Sequence, residues 1–496
     1  MDLKDIRKEI DKIDDQIIRL YAERMQIITK VAEYKQKNNL PVSDEKREQE
    51  KLADLSSKVP HAFRAGIQKL YSEIFRQSRA YQTKLLNKEA PRYGLLGRKL
   101  KHSFSPQIHS FFYDTPYDLY EIEPEDVPKF MHTNDLDAMN VTIPYKQTVI
   151  PFCAEISDVA KKIGSVNTIV RRKDGTLYGD NSDYFGFSYL VQKSGITVYG
   201  KKVIILGSGG SCLTVQSVMR DLGASKIIVI SRSGENNYEN ISLHHDTDII
   251  VNTTPVGMYP ETGISPIILS DFRRVEAVFD LIYNPSKTKL LQDAEALKIP
   301  AFNGLPMLVA QAKKSAEIFC GKSVPDGKID EIVYALERHT LNIVLIGMPG
   351  CGKSTVGKIL SEKTGREFFD TDFLIEQNEN RTIPQIIEQD GIDAFRQKES
   401  AILKGISKQS SKIIATGGGI VTVKENFPLL RQNSIVFFID RNLEELSVDG
   451  RPLSQAKGVE TLYDERIDLY QLFANHIIKS KTAEENADKI LEVFGI

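Results

Sequence analysis

The first 40 residues constrain this chain most. Apolar residues fall at helical steps (Leu3, Ile6, Ile10, Ile13, Ile17, Leu20, then Ile27, Val31 and Tyr34), and no Pro or Gly interrupts before Pro41. A helix of roughly 37 residues is about 55 Å long. Only two shorter helical stretches, near 44–57 and 61–86, follow before the sequence changes character. They cannot cover so long a stripe. The pattern predicts an all-helical three-helix module that a second copy completes, an intertwined homodimer.

Around Pro91 the rhythm changes. Short β-rich runs (YGLLG, AMNVTIP, KVIILG, KIIVIS, DIIVNTT, AVFDLIY) alternate with helical stretches to about residue 338, the pattern of a mostly parallel α/β sheet. A third α/β unit opens at LNIVLIG, 341–347. The expected modules are 1–88, 91–338 and 340–496, and 496 residues suffice for about three domains. Within the middle one, a substrate lobe spans about 91–190 plus the C-terminal helices, and a Rossmann lobe about 195–305.

Composition narrows the class. With 41% hydrophobic and 27% charged residues the chain is neither disordered nor collagen-like. No apolar run approaches the ~20 residues of a membrane span. The charged start, MDLKDIRKEI, is unlike a signal peptide. A soluble cytoplasmic protein with no membrane partner is expected. Cys153, Cys212, Cys320 and Cys351 are scattered, which argues against a metal or disulfide framework. A net charge of −2 argues against nucleic-acid binding. The first 90 residues carry 19 Lys and Arg against 15 Asp and Glu, a net of +4, leaving −6 for the rest. A basic first module suits a small anion or a solvated helix face.

On the first helix the apolar step after Leu20 falls on Arg24, and Lys35 lies about three turns further on nearly the same face. Arg7 points roughly 100° away from Arg24. On the last helix the stripe Ile67, Leu70, Tyr71, Ile74 continues into Ser78 and Gln82. Polar groups at core positions need partners, either in an interhelical ion pair or in a bound ligand. The segment LKDIRKEIDKIDDQIIRLYAERMQIITKVAEYK…LPVSDEKREQE resembles the all-helical class of chorismate mutases. That resemblance implies a chorismate site of Arg7, Arg24, Lys35, Asp44, Arg47, Glu48, Ser78 and Gln82, with Arg7 reaching into the partner's site. In the rearrangement to prephenate the arginines would hold the two carboxylates. Lys35 and Gln82 would stabilise charge on the ether oxygen, and Glu48 would hold the hydroxyl.

In the middle module LLGRKLKHSFSPQIHS sets Ser103 and Ser105 after the first strand. AMNVTIPYK brings Asn140, Thr142 and Lys146, and VNTIVRRKDGTLYGDNSDYFG brings Asn167 and Asp183. Lys146 with Asp183 is either a surface ion pair or a proton-transfer dyad for a polyhydroxylated substrate. KVIILGSGGS then places Gly207 and Gly209 as the first two glycines of a dinucleotide fingerprint, with Cys212 in the third position. The next strand ends in Ser231-Arg232-Ser233, with no carboxylate for a ribose 2′-hydroxyl, which favours NADP.

These clusters, with FDLIYNP and NGLPMLVAQA, resemble shikimate dehydrogenase over about 91–338. The implied reaction is NADPH-dependent reduction of 3-dehydroshikimate. Lys146 would give the proton and Asp183 orient substrate and lysine. Ser103, Ser105, Asn140, Thr142, Asn167 and Gln311 would hold the ring, flanked by Tyr283. Gly210, Ser211, Ser231, Arg232, Ser233 and Thr253 would join the glycines around NADP(H). The sequence departs from that family at Ser182, where the family has threonine, at Pro306, where it has glycine, and at Asn236, where a second basic residue usually completes the NADP clamp.

GMPGCGKST, 347–355, lies between the strand NIVLI and the helix VGKILSEKTG, a full phosphate loop in its required context. Gly350, Gly352, Lys353, Ser354 and Thr355 suit ATP, with Ser354 on Mg²⁺. FFDTDFLIE, DAFRQKE, ATGGGIV, GRPL and DERIDLY resemble shikimate kinase over about 340–496. The resemblance implies Asp370 in the Mg²⁺ shell, Asp372 on the attacking hydroxyl, and Arg396 and Arg466 on the shikimate carboxylate. Gly418 and Gly419 would line the ring and Arg451 close a lid over ATP. Only SVDG separates FFIDRNLEEL from Arg451, so the lid approach is short and weaker ATP binding is expected. Together the resemblances imply a fused enzyme of aromatic amino-acid biosynthesis acting on chorismate, 3-dehydroshikimate and shikimate. The alternatives are a helical module that only dimerises or regulates, and an impaired kinase.

Overall fold

A computed structural model of the chain describes residues 3–38, 44–60, 63–86, 91–100, 103–446, 458–479 and 482–495. The chain divides into two compact units. One comprises Met1–Tyr145, Pro151–Ala154 and Thr168–Tyr178; the other comprises Lys146–Ile150, Glu155–Asn167 and Gly179–Ile496.

The first unit opens with helices α1 (Leu3–Lys37), α2 (Glu45–Ser57) and α3 (Arg64–Leu86). Asp5 in the first turn of α1 and Lys35 and Lys37 in its last complement the helix dipole. Ala32 and Phe75 are buried between the helices, but Ile10, Ile13, Ile17, Leu20, Ile27 and Tyr34 of the predicted stripe stay exposed. The substrate lobe follows, with β1 (Tyr93–Gly97), α4 (Ser105–His109), β2 (Tyr117–Glu121), α5 (Val127–Thr133) and β3 (Ala138–Val141). Then come β4 (Glu155–Ile156), α6 (Asp158–Ile163), β5 (Thr168–Arg171) and β6 (Leu177–Asp180), of which β4 and α6 belong to the second unit. Fully buried β1 pairs in parallel with β2 and β3, while β5 runs antiparallel to β3. The ends of β1 and β3 therefore lie side by side: a Cβ on Gly97 would come within 2.7 Å of Thr142 Cγ2.

The second unit carries two parallel sheets. The Rossmann lobe contains α7 (Ser182–Ser194), β7 (Lys202–Leu206), α8 (Gly210–Asp221), β8 (Lys226–Ile230), β9 (Ile249–Asn252), β10 (Ala277–Asp280), α9 (Lys289–Ala296) and β11 (Ala301–Phe302). Its strand order β11-β10-β9-β7-β8 reverses at β7, where open α/β sheets bind ligands. Helices α10 (Leu305–Cys320) and α11 (Gly327–Thr340) close this lobe. One residue after α11 comes β12 (Asn342–Ile346), centre of the last sheet, ordered β13-β14-β12-β15-β16. That sheet also uses β13 (Glu367–Asp370), β14 (Lys412–Ala415), β15 (Ser434–Ile439) and β16 (His476–Ile478). Around it pack α12 (Lys353–Thr364), α13 (Thr371–Glu379), α14 (Ile383–Asp390), α15 (Ile392–Ile406), α16 (Asn426–Arg431), α17 (Val459–Phe473) and α18 (Ala483–Phe494).

The junction between the two α/β folds is built, not loose. Arg366 donates from Nη1 to Leu341 O at 2.8 Å and from Nη2 to Arg338 O, carbonyls at the C-terminal end of α11. Its guanidinium also lies over the Phe494 ring, 4.7 Å from the centroid. Lys287 N donates to Gln432 O at 2.8 Å and Gln292 Nε2 to Pro428 O at 3.1 Å, joining the Rossmann lobe to the last fold.

Candidate active sites

In the helical module, Arg24 Nη1 donates to Ser78 Oγ at 2.5 Å, and its guanidinium lies 5.8 Å from the Phe75 ring centre. Gln82 Nε2 donates to Ser78 O at 3.2 Å, while Gln82 Oε1 is buried without a partner among the described residues. A buried, unsatisfied amide oxygen costs stability unless a ligand meets it. Two expected residues have other partners. Asp44 caps α2 through the Arg47 amide at 3.2 Å, and Glu48 pairs with Arg79. Arg79 carried no sequence signal beyond its charge. Lys35 is half-buried on α1, and the Arg7 and Arg47 side chains are exposed.

In the substrate lobe Ser105 opens the short helix α4, and its amide donates to Ser103 Oγ at 3.2 Å. Asn140 near the end of β3 is buried, and Thr142 follows at the sheet edge. In the second unit Lys146 Nζ donates to Asp183 Oδ2 at 2.6 Å, with the two side chains only 14% and 11% exposed. A surface ion pair is excluded by that burial. Ser182 N donates to Asn167 Oδ1 at 2.7 Å, and the single Ser182 hydroxyl lies 3.2 Å from that oxygen, 3.3 Å from Gln311 Oε1 and 2.9 Å from Ser315 Oγ. Lys146–Asp183 and Asn167–Ser182–Gln311 thus meet at the start of α7, where Asn181 caps the helix. Ser182, singled out as a departure, ties the amides together. Tyr283 sits beyond β10 on the loop that Asp280 braces through Ile282 N, 3.1 Å, and Thr288 Oγ1, 2.6 Å.

The nucleotide edge fits a dinucleotide. Gly207 turns at φ 99°, and a Cβ there would lie 2.8 Å from Thr254 Cγ2. Gly209 precedes Gly210 and Ser211 at the start of α8 with open space beside both glycines, and Thr253 Oγ1 donates to Leu206 O at 2.7 Å. Ser231, Arg232 and Ser233 follow β8, the neighbour of β7, with Arg232 exposed. Asn236, where a second basic residue was looked for, instead holds His244 Nε2 at 2.9 Å and accepts from Ser231 N through its carbonyl.

The last site is the most enclosed. Gly350 and Gly352 adopt positive φ, and Lys353 Nζ is held 2.9 Å from both Gly347 O and Met348 O. Ser354 Oγ donates to Asp370 Oδ2 at 2.5 Å, while Asp370 Oδ1 caps α13 through the amides of Asp372 and Phe373. Thr355 is exposed in the first turn of α12. The loop 417–419 leaves β14 beside it. A Cβ on Gly419 would fall within 1.8 Å of Arg396 Nη2, and one on Gly417 within 2.6 Å of Asp372 Oδ1. Gly418 O accepts from Arg466 Nη1 at 3.2 Å and from Tyr470 Oη. Arg466 is buried, which rules out a helix-surface charge. Burial, then the charges of Glu399 and Asp370, pushes the Asp372 carboxyl up to about 7. Burial likewise raises Glu399, which Arg396 partly offsets by pairing with it. Glu399 and Tyr470 had no assigned role, although both stand inside quoted motifs, DAFRQKE and DERIDLY. Arg451 and its lid lie outside the described residues.

Comparison with known proteins follows the same three-part division. Family profiles match for chorismate mutase type II over residues 6–83, the shikimate dehydrogenase substrate binding domain over 95–169, and shikimate kinase over 349–494. A shikimate dehydrogenase (NADP(+)) of Clostridium beijerinckii is 36% identical over 264 residues, 49% of this chain and 97% of that protein. Its counterpart from Methanosphaera stadtmanae is 34% identical over 260 residues, 46% of this chain and 91% of that protein. A crystal structure of a chorismate mutase/shikimate 5-dehydrogenase fusion protein from Clostridium acetobutylicum is 35% identical, with a TM-score of 0.48, covering 50% of this chain and 98% of that one. The chain belongs to the shikimate dehydrogenase family and is a multifunctional enzyme of aromatic biosynthesis, joining chorismate mutase, NADP-dependent shikimate dehydrogenase and shikimate kinase modules in one polypeptide.

Proposed function

We propose that Lys146 with Asp183, Asp372 with its enclosing arginines, and the Arg24–Ser78–Gln82 cluster carry the three reactions, in modules bounded near 88–91 and 338–340. The buried Lys146–Asp183 pair carries the reading, because a desolvated lysine and carboxylate set among amides can hold a proton against a carbonyl oxygen. NADPH, when bound, supplies the hydride. Lys146 Nζ then gives its proton to the carbonyl oxygen of 3-dehydroshikimate while Asp183 keeps the ammonium aimed. Asn167, fixed by Ser182, and Gln311 hold the ring. Arg232 favours the 2′-phosphate of NADP.

In the kinase module ATP supplies the phosphoryl group. Asp372 accepts the attacking hydroxyl's proton, and a carboxyl titrating near neutrality is matched to that task. Arg396 and Arg466 converge on the 417–419 loop, where they would clamp the shikimate carboxylate. Ser354 and Asp370 offer two oxygens, the sparse hard donor set that Mg²⁺ takes when phosphate and water fill its other positions. In the helical module Arg24 and Gln82 would meet the chorismate dianion, and the exposed stripe of α1 favours a homodimer. A purely dimerising module would gain more from apolar residues at those two positions. NADPH and ATP are cytoplasmic substrates, which favours that location. The test is one incubation of the full chain with 3-dehydroshikimate, NADPH, ATP and Mg²⁺. Shikimate 3-phosphate, identified by mass, is expected; shikimate alone would remove the kinase assignment, and unused NADPH the dehydrogenase one.

A further inference from the structure

Behind the serines of the substrate lobe lies a buried polar network that extends past the residues given roles above. Tyr117, at the start of β2, is 5% exposed and directs its hydroxyl at Asn140 Oδ1, 2.8 Å away. Asn140 Nδ2 in turn donates to Thr168 Oγ1 on β5 at 3.3 Å. Ser105 hydrogen-bonds the same phenol, so Tyr117 links two residues expected at the ring. Its own plane is fixed by His109, which stacks on it at 4.2 Å between centroids and an 11° tilt. His109 is in turn pinned through Nδ1 by Tyr113 Oη at 2.6 Å. Burial drives His109 down to about 3 and keeps the phenol protonated, so the imidazole is neutral and Tyr117 stays a donor.

An asparagine amide has two faces of opposite hydrogen-bonding sense, and a buried donor on its oxygen decides which is which. We propose that Tyr117 is a positioning residue of the dehydrogenase, fixing the Asn140 amide so that its NH2 side recognises a hydroxyl oxygen of the substrate ring. The proposal rests on Asn140 binding that ring. Without the phenol, Asn140 keeps its hydrogen bond to His109 but loses the donor on Oδ1, so its NH2 side is held less firmly towards the ring. The loss falls on substrate binding, since the Lys146–Asp183 dyad and the nucleotide loop belong to the other unit.

The test uses shikimate oxidation by the full chain. Tyr117→Phe should raise the KM for shikimate roughly tenfold, the worth of one buried hydrogen bond, with kcat within about twofold and the KM for NADP⁺ unchanged. Asn140→Ala should raise the shikimate KM at least as much, and adding Tyr117→Phe to it should cost nothing more. Should Tyr117→Phe prove unfolded by circular dichroism, Thr168→Val removes another of the amide's partners and should give the same split. If the Tyr117 and Asn140 effects multiply in full, or Tyr117→Phe lowers kcat and raises the NADP⁺ KM together, the phenol only supports the fold and the proposal falls. An Asn140→Ala chain with unchanged shikimate KM would instead overturn the assignment of Asn140, and the positioning role with it.

Discussion

The first and last modules both set arginines among other polar groups, and they bury those groups in opposite ways. In the kinase module the described residues around the site come from several elements of one sheet fold. Loops leaving β12 and β14 bring Lys353 and Gly417–Gly419 together, and helices supply Asp372, Arg396, Glu399 and Arg466. Glu399 is fully buried there. Among the described residues of the helical module the buried polar groups are Ser56, Ser78 and Gln82, with Arg24 half-buried, and its longest helix exposes Ile10, Ile13, Ile17, Leu20 and Ile27. A parallel sheet brings distant loops to one edge, whereas one helix pair has no interior deep enough for a dianion. Among the described residues the kinase fold thus surrounds its charged groups, whereas the helical module leaves its apolar stripe uncovered.

The sharpest test of that contrast removes the enclosed carboxylate. Asp372→Asn should lower phosphoryl transfer about 10²- to 10⁴-fold, the usual worth of a general base, while prephenate formation stays unchanged. Both are read on the same preparation by coupled assay. Next in size is Ile17→Asp, which places a charge on the exposed stripe. If two copies meet there, the buried carboxylate should separate them and reduce mutase turnover on the order of a hundredfold. Light scattering should then report a single chain, with kinase and dehydrogenase rates retained. A fully active mutase that is monomeric would break the comparison, because its site would be complete alone.

Much of this was legible in the sequence, for physical reasons that differ by site. The phosphate loop and the long amphipathic helix are local, so spacing alone places Lys353, Ser354 and the α1 stripe. The Lys146–Asp183 contact spans 37 residues, and residue type with resemblance pointed to it where periodicity could not. What stayed hidden depends on packing between distant elements. Glu399 is a charge on a helix until Gly417 brings the backbone against it, and its burial beside Asp372 is a tertiary fact. Asn236 reads as a lost cofactor contact, yet the fold uses it to close a turn with Ser231 and His244. Arg366 carries no motif at all; only the arrival of α11 beside it makes a helix cap.

The comparison extends to pH. As the proposed general base, Asp372 must be ionised to take a proton, and burial, then the charges of Glu399 and Asp370, pushes its carboxyl up to about 7. Its active fraction therefore falls as pH drops through that value. Kinase kcat/KM should decline about tenfold per unit below pH 7 and level off above it. The chorismate rearrangement moves no proton, so the mutase rate in the same samples should show no such slope. A kinase profile flat to pH 5 would mean that the carboxylate is less enclosed than Gly417 and Glu399 make it.

The smallest effect concerns the junction between α11 and the kinase fold. Arg366 bonds two carbonyls at the end of α11 and stacks on Phe494 of α18, so it pins the helix entering β12 to the helix ending the chain. Arg366→Met keeps most of the apolar stem and removes both bonds. Charge-assisted bonds of this kind contribute about 1.5–3 kcal/mol each, and water reaching the freed carbonyls would return part of that. The unfolding midpoint of the kinase module should drop by several degrees, at about 2–4 °C per kcal/mol for a domain of this size. The mutase should be untouched at 25 °C, since its helices lie in the other unit. A midpoint that does not move would mean that α11 is held by the Rossmann lobe alone, and that the kinase module begins at β12 rather than within α11.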